Sequence, residues 1–324
     1  MRPSRVGRAR QHLPVPVLTR ALEALSLDSY DLPAVPGQSA ALGLRAAAPL
    51  RGVAEEDLMR YEMLGNLRVV SLDGPMSVTA RKVETLLAVL LVRADQVVSM
   101  SQLTEEIWGE RQPRCATAAV HVYVSQLRKF LADAQGAAAE RGRGPVITRA
   151  SGYALQVTPG QVDVHEFQDL VGQGRGHARS GRHREASQCF GAALGLWRGP
   201  ALDGLVDRPV AREFATWADE ARLECVELQV ESDLSVGRHR ELIARLRGLV
   251  SEYPLREGFA RQLMIALSRA ERRGEAMKVY QEVSRTFERQ LGLEPGRPLQ
   301  ELYRACLLTE SSLNPRLGTL SPAW

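Results

Sequence analysis

The sequence predicts a mainly α-helical protein with a small antiparallel β component, in which a winged helix-turn-helix domain precedes an all-helical, TPR-like domain. Three observations indicate this fold class. Short alternating segments flank three helical segments between residues 60 and 157. Long helical segments without strand patterns follow Val162. The pentapeptide Gly-Arg-His-Arg-Glu occurs at residues 181–185 and again at 237–241, as expected for repeated helix pairs.

Composition divides the 324 residues into four segments. The first is rich in Arg, Pro and Ala, which favours disorder, with one short helix near residues 18–27. Because a folded pattern begins directly after Met59, this methionine is an alternative start to Met1. The expected segments are a disordered N-terminal extension (1–58), the winged-helix domain (59–158), the helical domain (159–308) and a flexible tail (309–324).

Several classes of protein are disfavoured by the composition. The four cysteines form no Cys-x-x-Cys pair and no apolar run approaches 18 residues, so we expect a soluble, cytoplasmic protein without a zinc site or a membrane span. Neither a His-Glu-x-x-His nor a Gly-x-Ser-x-Gly motif occurs, and GQGRG at residues 172–176 lacks the Gly-Lys-Ser/Thr ending of a phosphate loop. We therefore expect no enzyme activity, catalytic residue, cofactor or metal.

The first domain begins with strands and two helices. Residues 61–70 alternate and Asp73-Gly74 marks a turn, which indicates a small antiparallel sheet. A helix is expected from Thr79 or Ala80 through Val92. A short helix at residues 101–109 would be capped by Ser99 or Ser101, with Glu105 near position N3 of a capping box. Glu105 and Glu106 are expected on its solvated face.

The third helix, residues 116–134, carries two different faces. Val120, Val124, Leu127 and Leu131 recur at the spacing of a core-facing stripe. About 100° further round lie polar side chains, and no acidic residue occurs between Arg111 and Lys129, where a solvated face would usually carry Glu/Lys pairs. The pattern indicates a recognition helix for nucleic acid, and a core helix with a mixed outer face is the alternative. The outward residues are Thr117, His121, Ser125 and Arg128, with Arg114, Val122 and Lys129 at the edges.

A flexible stretch at residues 134–144 leads to a predicted hairpin at 146–157, which turns at Ser151-Gly152. The order of sheet, three helices and hairpin is that of a winged helix-turn-helix. Residues 111–150 hold seven basic side chains against two acidic ones, which suits a nucleic-acid surface.

Candidate DNA-binding residues follow from the chemistry of phosphates and base edges. Cations near phosphates supply affinity, and hydroxyl, imidazole and amide groups can read bases. Arg149, in the hairpin, could enter a minor groove. For His121 a purely structural role is an equal alternative. The predicted contacts are Arg114, Thr117, His121, Ser125, Gln126, Arg128, Lys129 and Arg149, and further phosphate candidates are Arg111, Arg141 and Arg143.

In the second domain each Gly-Arg-His-Arg-Glu motif follows one helical segment and opens another, and a looser copy starts at residue 272. Tyr253-Pro254 and Glu294-Pro295-Gly296 mark helix ends. Ala186, Ala192 and Ala276 are expected to allow close contacts between helices.

These motifs resemble the Streptomyces antibiotic regulatory protein family over residues 59–308. The resemblance lies in MRYEMLGNLRV (residues 59–69), AVHVYVSQLRKFL (119–131) and ITRASGYAL (147–155). It is most specific in residues 255–303, which run from LREGFARQLMIALSRAERRGEAMKVYQEV to LQELY. It implies an OmpR-type winged helix joined to a bacterial transcriptional activation domain. Its departures are Ala118-Ala119, where an Asn-Thr pair is common, and the N-terminal extension.

The resemblance implies a transcriptional activator that binds direct repeats near promoters, with the helix at 116–134 in the major groove and the hairpin in the neighbouring minor groove. Two copies would lie side by side on the DNA and recruit RNA polymerase holoenzyme, including its sigma factor, to an antibiotic (secondary-metabolite) biosynthetic gene cluster. Such a protein would act at the nucleoid, without a membrane partner. The alternative is a helical-repeat interaction module whose winged domain binds a protein.

Overall fold

The computed structural model describes residues 59–135 and 144–311. The predicted N-terminal extension with its short helix, most of the flexible stretch at 134–144 and the end of the tail lie outside the described residues. The described chain divides into two compact units. The first contains the residues up to Asp163 together with Gly199–Thr216, and the second contains Val164–Arg198 and the residues from Trp217 onward. We call Gly199–Thr216 the closing segment.

The first unit begins with an antiparallel sheet of three strands, as the sequence predicts: β1 (Arg60–Glu62), β2 (Arg68–Ser71) and β3 (Gly74–Met76). Tyr61 of β1 pairs with Val69 of β2, and both side chains are fully buried. Between β2 and β3 the chain turns at Asp73-Gly74, where Gly74 adopts a positive φ of 113° that side chains disfavour.

Three helices follow: α1 (Arg81–Val92), α2 (Met100–Trp108) and α3 (Ala116–Gln135). A capping box opens α2, but its N3 residue is Gln102 and the prediction of Glu105 was wrong. Ser99 is the N-cap, so position N3 falls three residues later. The Ser99 hydroxyl accepts from the Gln102 backbone N–H at 3.3 Å, and the Gln102 side-chain oxygen accepts from the Ser99 N–H at 3.0 Å.

The predicted hairpin consists of β5 (Val146–Arg149) and β6 (Gly152–Leu155). A two-residue strand, β4 (Val98–Ser99), pairs with the other edge of β6, and it is too short to be detected by periodicity. Gly152 permits this pairing, because a Cβ atom there would lie 1.9 Å from the carbonyl oxygen of Val98. The hairpin is therefore fixed to the chain segment that precedes α2.

Residues distant in sequence complete the first unit. Asp163, 1 % exposed, accepts hydrogen bonds from the backbone N–H groups of Met63 and Leu64, each at 2.9 Å. In the closing segment, Leu202 is buried and its N–H donates to the carbonyl oxygen of Met63 at 2.9 Å. This arrangement differs from the sequence-based boundary at 158/159, which places the closing segment wholly in the helical domain.

Glu106 is also part of this packing, and its predicted position on a solvated face was wrong. The side chain is 8 % exposed, and its carboxylate accepts from the N–H of Val210 in the closing segment at 3.2 Å. Burial raises the pKa of this carboxyl group, an effect opposed by the hydrogen bond from Val210. The contact spans 104 residues, so the local pattern of α2 could not reveal it.

The second unit is built from helices, and three of its turns share one geometry. In each copy of the motif, the residue that precedes the first arginine has a positive φ: 73° at Gly181, 87° at Gly237 and 62° at Glu271. In all three turns the backbone N–H of the arginine that follows donates to the carbonyl oxygen five residues earlier, at 2.9–3.0 Å. The predicted repeat is confirmed. The helices of this part of the chain are α4 (Asp163–Arg179), α5 (His183–Gly195), α6 (Pro209–Ser235), α7 (His239–Glu252), α8 (Glu257–Arg269), α9 (Arg273–Leu291) and α10 (Arg297–Ser311). Asp163 and the residues of α6 up to Thr216 belong to the first unit.

Small residues allow these helices to pack closely, although one of the three predicted alanines does not lie at a helix contact. Ala186 and Ala276 are fully buried, but Ala192 is exposed and Ala193 occupies the buried position. GQGRG lies inside α4, where a Cβ on Gly174 would lie 2.5 Å from the ring of Phe190. That glycine therefore serves helix packing. The observed elements confirm the predicted fold class, mainly α-helical with a small antiparallel β component.

We expect Asp163→Ala to lower the free energy of unfolding by about 2–3 kcal/mol, because it leaves the buried N–H groups of Met63 and Leu64 without their acceptor. Urea unfolding of the full chain measures this change. Asp169→Ala, which removes an exposed carboxylate from the same helix, is the matched control and should change stability little. Equal stability of both variants would contradict the role given to Asp163.

Glu106 predicts a pH dependence of stability. Its folded-state pKa lies above the ordinary value of 4.5, so the folded chain retains a proton that the unfolded chain releases. The free energy of unfolding should therefore fall as pH rises from about 4.5 through the folded-state pKa. Glu106→Gln should reduce this fall, whereas Glu110→Gln, at an exposed position whose charge does not act on Glu106, should preserve it. Urea midpoints at about pH 4.5 and 7 test this, and an unchanged pH dependence in Glu106→Gln would refute it.

Candidate nucleic-acid interface

Burial of one side of α3 determines which side chains on its opposite side face solvent. Val120, Val124, Leu127 and Leu131 are 0–1 % exposed and form the predicted stripe. Because α3 is a continuous helix from Ala116 to Gln135, burial of this stripe fixes its rotation about its axis. The predicted polar residues consequently lie on the solvent side. They are Thr117, His121, Ser125, Gln126, Arg128 and Lys129, all exposed.

Arg128 joins α3 to the hairpin. Its Nε and Nη2 donate to the carbonyl oxygen of Val146 at 3.2 and 3.0 Å, and Nη2 also donates to Thr148 Oγ1 at 2.8 Å. Its guanidinium carbon lies 5.8 Å from the centre of the Tyr153 ring. The sequence suggested a phosphate contact for Arg128, but its donors in this structure are directed mainly at the hairpin. Arg128 therefore positions the hairpin beside α3.

His121 makes a second connection to the same hairpin. Its Nδ1 lies 2.6 Å from the hydroxyl oxygen of Tyr153, and the two rings meet edge to face with centroids 6.1 Å apart. This contact orients the imidazole and leaves Nε2 as the second polar atom of an exposed side chain. His121 thus has the structural contact that was the alternative for it, and it also remains on the outward face.

Ser125 and Gln126 continue the outward face. The Ser125 hydroxyl donates to the carbonyl oxygen of His121 at 3.0 Å, so its oxygen remains able to accept a hydrogen bond. Gln126 is exposed, and its amide offers both donors and an acceptor.

The other predicted contacts carry free polar groups. Arg114 precedes α3, Thr117 lies in its first turn, Lys129 follows Arg128, and Arg149 ends β5. All four are exposed, and none of their side chains forms a hydrogen bond or an ion pair with another residue in the ranges 59–135 and 144–311. Arg111 is exposed as well, whereas Arg141 and Arg143 lie outside the described residues. Arg114, Thr117 and Lys129 thus lie on or beside α3, whereas Arg149 lies at the end of a hairpin strand.

Thr148 and Tyr153 are interface-positioning residues that the sequence did not indicate. They are direct cross-strand partners in the β5–β6 hairpin, so their side chains share one face. The signal that could have found them is the hairpin register, because a loop of Ala150 and Ser151 pairs Arg149 with Gly152 and hence Thr148 with Tyr153. The register alone does not show that this face of the hairpin contacts α3.

The chemistry of this surface matches that of a DNA-binding helix. Arg and Lys side chains contact phosphates, while imidazole, hydroxyl and amide groups can contact base edges. Within the described ranges no cluster of three His, Cys, Asp or Glu side chains is placed to hold a metal ion. In the same part of the chain, no helix is both long and apolar enough to span a membrane.

Comparison with known families finds two matches, in two successive stretches of the chain. Residues 75–155 match the family described as "Transcriptional regulatory protein, C terminal", and residues 162–307 match the "Bacterial transcriptional activator domain". The first match contains α3 and the hairpin, and the second contains the repeated helices of the second unit.

Individual relatives agree with these matches. The chain is 34 % identical to the regulatory protein DnrI of Streptomyces peucetius, over 82 % of this chain and 97 % of DnrI. It is 32 % identical to the transcriptional regulator RedD of Streptomyces coelicolor, over 79 % of this chain and 72 % of RedD. It is 31 % identical to the regulatory protein AfsR of Streptomyces griseus, over 80 % of this chain but only 26 % of AfsR, so it spans about a quarter of that relative.

A solved structure shows the same architecture. EmbR of Mycobacterium tuberculosis, in complex with a low affinity phosphopeptide, aligns with a TM-score of 0.74 and 31 % identity, covering 78 % of this chain and 66 % of EmbR. The two domain families, in this order, and the near-complete coverage of DnrI agree with the resemblance seen in the sequence. The chain belongs to the Streptomyces antibiotic regulatory protein family.

Proposed function

We propose that this protein is a sequence-specific DNA-binding transcriptional activator, which binds direct repeats near promoters and recruits RNA polymerase to an antibiotic biosynthetic gene cluster. The observation that carries the proposal is the outward face of α3, with polar and cationic side chains held beside a hairpin by Arg128 and His121. A helix and a wing held in this way can contact two adjacent grooves of one duplex.

Each predicted residue has a role in this proposal. His121 Nε2, the Ser125 oxygen and the Gln126 amide meet base edges in the major groove. Arg114, Thr117 and Lys129 contact phosphates at the groove's edges. Arg149, at the end of β5, reaches the neighbouring minor groove. Arg128 acts first by positioning the hairpin, with its exposed guanidinium adding positive potential near the DNA.

The helical unit supplies the protein contacts in this proposal. Membership of the family and the match to the bacterial transcriptional activator domain support a contact with RNA polymerase holoenzyme, including its sigma factor. Direct repeats would place two copies head to tail on the DNA without a dimer formed beforehand. The protein would then act in the cytoplasm, at the nucleoid.

The proposal is tested with the full chain and DNA that the chain itself selects from a random-sequence library. We expect the selected duplexes to contain direct repeats spaced by about one helical turn, roughly 10 base pairs. Fluorescence anisotropy should show tighter binding to the selected duplex than to its shuffled sequence, and weaker binding at higher salt. Equal binding to both duplexes, or none, would refute sequence-specific recognition and favour a winged domain that binds a protein.

Lys129 and Arg128 should affect DNA binding in different ways. Lys129→Ala should weaken binding to all duplexes and reduce the slope of log affinity against log salt by about 0.9, the value for one lost phosphate contact. Arg128→Ala should also weaken binding to all duplexes, and it should speed amide hydrogen exchange of residues 146–155 in the DNA-free chain, because the hairpin loses its bonds to α3.

The matched control is Arg285→Ala, which removes an exposed arginine from α9 and should change neither the affinity nor the exchange of the hairpin. Hairpin exchange that is unchanged in Arg128→Ala would contradict the positioning role of Arg128. An unchanged salt slope in Lys129→Ala would contradict its phosphate contact.

A further inference from the structure

The outward face of α3 contains one large apolar side chain. Val122 is 53 % exposed, and it is the only exposed large hydrophobic residue on this helix in the described part of the chain. Single exposed hydrophobic residues are common on protein surfaces, so exposure alone does not indicate a function. The position of Val122 is informative, because its neighbours in sequence and along the helix are the candidate base-reading residues.

Val122 belongs to a short apolar strip. Residues four apart on a helix are neighbours on its surface, so Ala118, Val122 and Gln126 form one row. Ala118 and Gln126 are exposed as well. This row runs beside Thr117, His121 and Ser125, which form the adjacent polar row. The apolar strip, Ala118 and Val122, therefore lies on the surface that would enter the major groove.

Local structure provides no reason for valine at this position. A valine that is 53 % exposed gains little from burial, and it favours a helix less than alanine does. In the major groove, however, the 5-methyl group of thymine is a distinctive apolar feature, and apolar side chains contact it. Gln126, one turn further along the row, has the amide that pairs with the N6 and N7 atoms of adenine.

We propose that Val122 is a specificity-determining residue that contacts the 5-methyl group of a thymine in each DNA repeat, with Gln126 reading an adenine at a neighbouring base pair. This inference rests on the proposed function and adds the identity of the base that the apolar strip recognises. Cytosine and uracil lack the methyl group, so the strip discriminates against both. Ala118, smaller and nearer the start of α3, extends the apolar surface without reaching as far.

The test replaces single thymines in the selected duplex by deoxyuridine, which removes only the methyl group. Anisotropy with the full chain should show a loss of affinity of about fourfold at one thymine of each repeat, the factor that corresponds to about 0.8 kcal/mol for one buried methyl group. Val122→Ala should bind the unmodified duplex more weakly and should bind the thymine and uracil duplexes equally well. Alanine favours a helix more than valine, so this variant should retain α3.

Val97→Ala is the matched control, since Val97 is 45 % exposed but lies in the loop before β4. That variant should keep the full sensitivity to uracil. Two results would overturn the inference: a wild-type chain that prefers the repeats but is insensitive to uracil at every thymine, or a Val122→Ala variant with the wild-type sensitivity. The proposed function fails separately, if the wild-type chain shows no preference for the unmodified repeats, and the inference then fails with it.

Discussion

The burial of one stripe of α3 is the constraint on which the candidate interface depends. Val120, Val124, Leu127 and Leu131 fill the core of the first unit, and a helix fixed along one side has no freedom to rotate. The buried stripe therefore determines which residues of α3 face solvent. Arg128 and His121 extend this constraint to the hairpin, because each bonds a residue of β5 or β6 from the exposed side of the helix.

The first unit in turn depends on residues that occur much later in the sequence. Asp163 provides the acceptor for two buried N–H groups beside β1, and Leu202 of the closing segment pairs with the backbone of Met63. Glu106 connects α2, which packs against α3, to Val210. The support for the outward face of α3 therefore extends through the closing segment, which lies within the part of the chain that matches the activator-domain family.

Local patterns in the sequence predicted the fold class and the outward face of α3, since helical periodicity directly encodes which side is buried. They could not predict contacts set by long-range packing. The burial of Glu106 requires Val210, and the bond between His121 and Tyr153 requires both the hairpin register and its place beside α3. The turn at Glu271 could not be found from glycine alone. Glu271 adopts the left-handed conformation that Gly181 and Gly237 adopt in the other two turns, so a search for glycine finds two of the three turns.

Site-specific photo-crosslinking can show whether the outward face of α3 lies against DNA. A photoreactive amino acid replaces Gln126 in one full-length variant and Asp169, exposed on α4, in another. After irradiation with the selected duplex, we expect crosslinks to bases within the repeats from position 126 and none from position 169. Absence of crosslinks from position 126 in a variant that still binds the duplex would show that this face of α3 does not contact DNA.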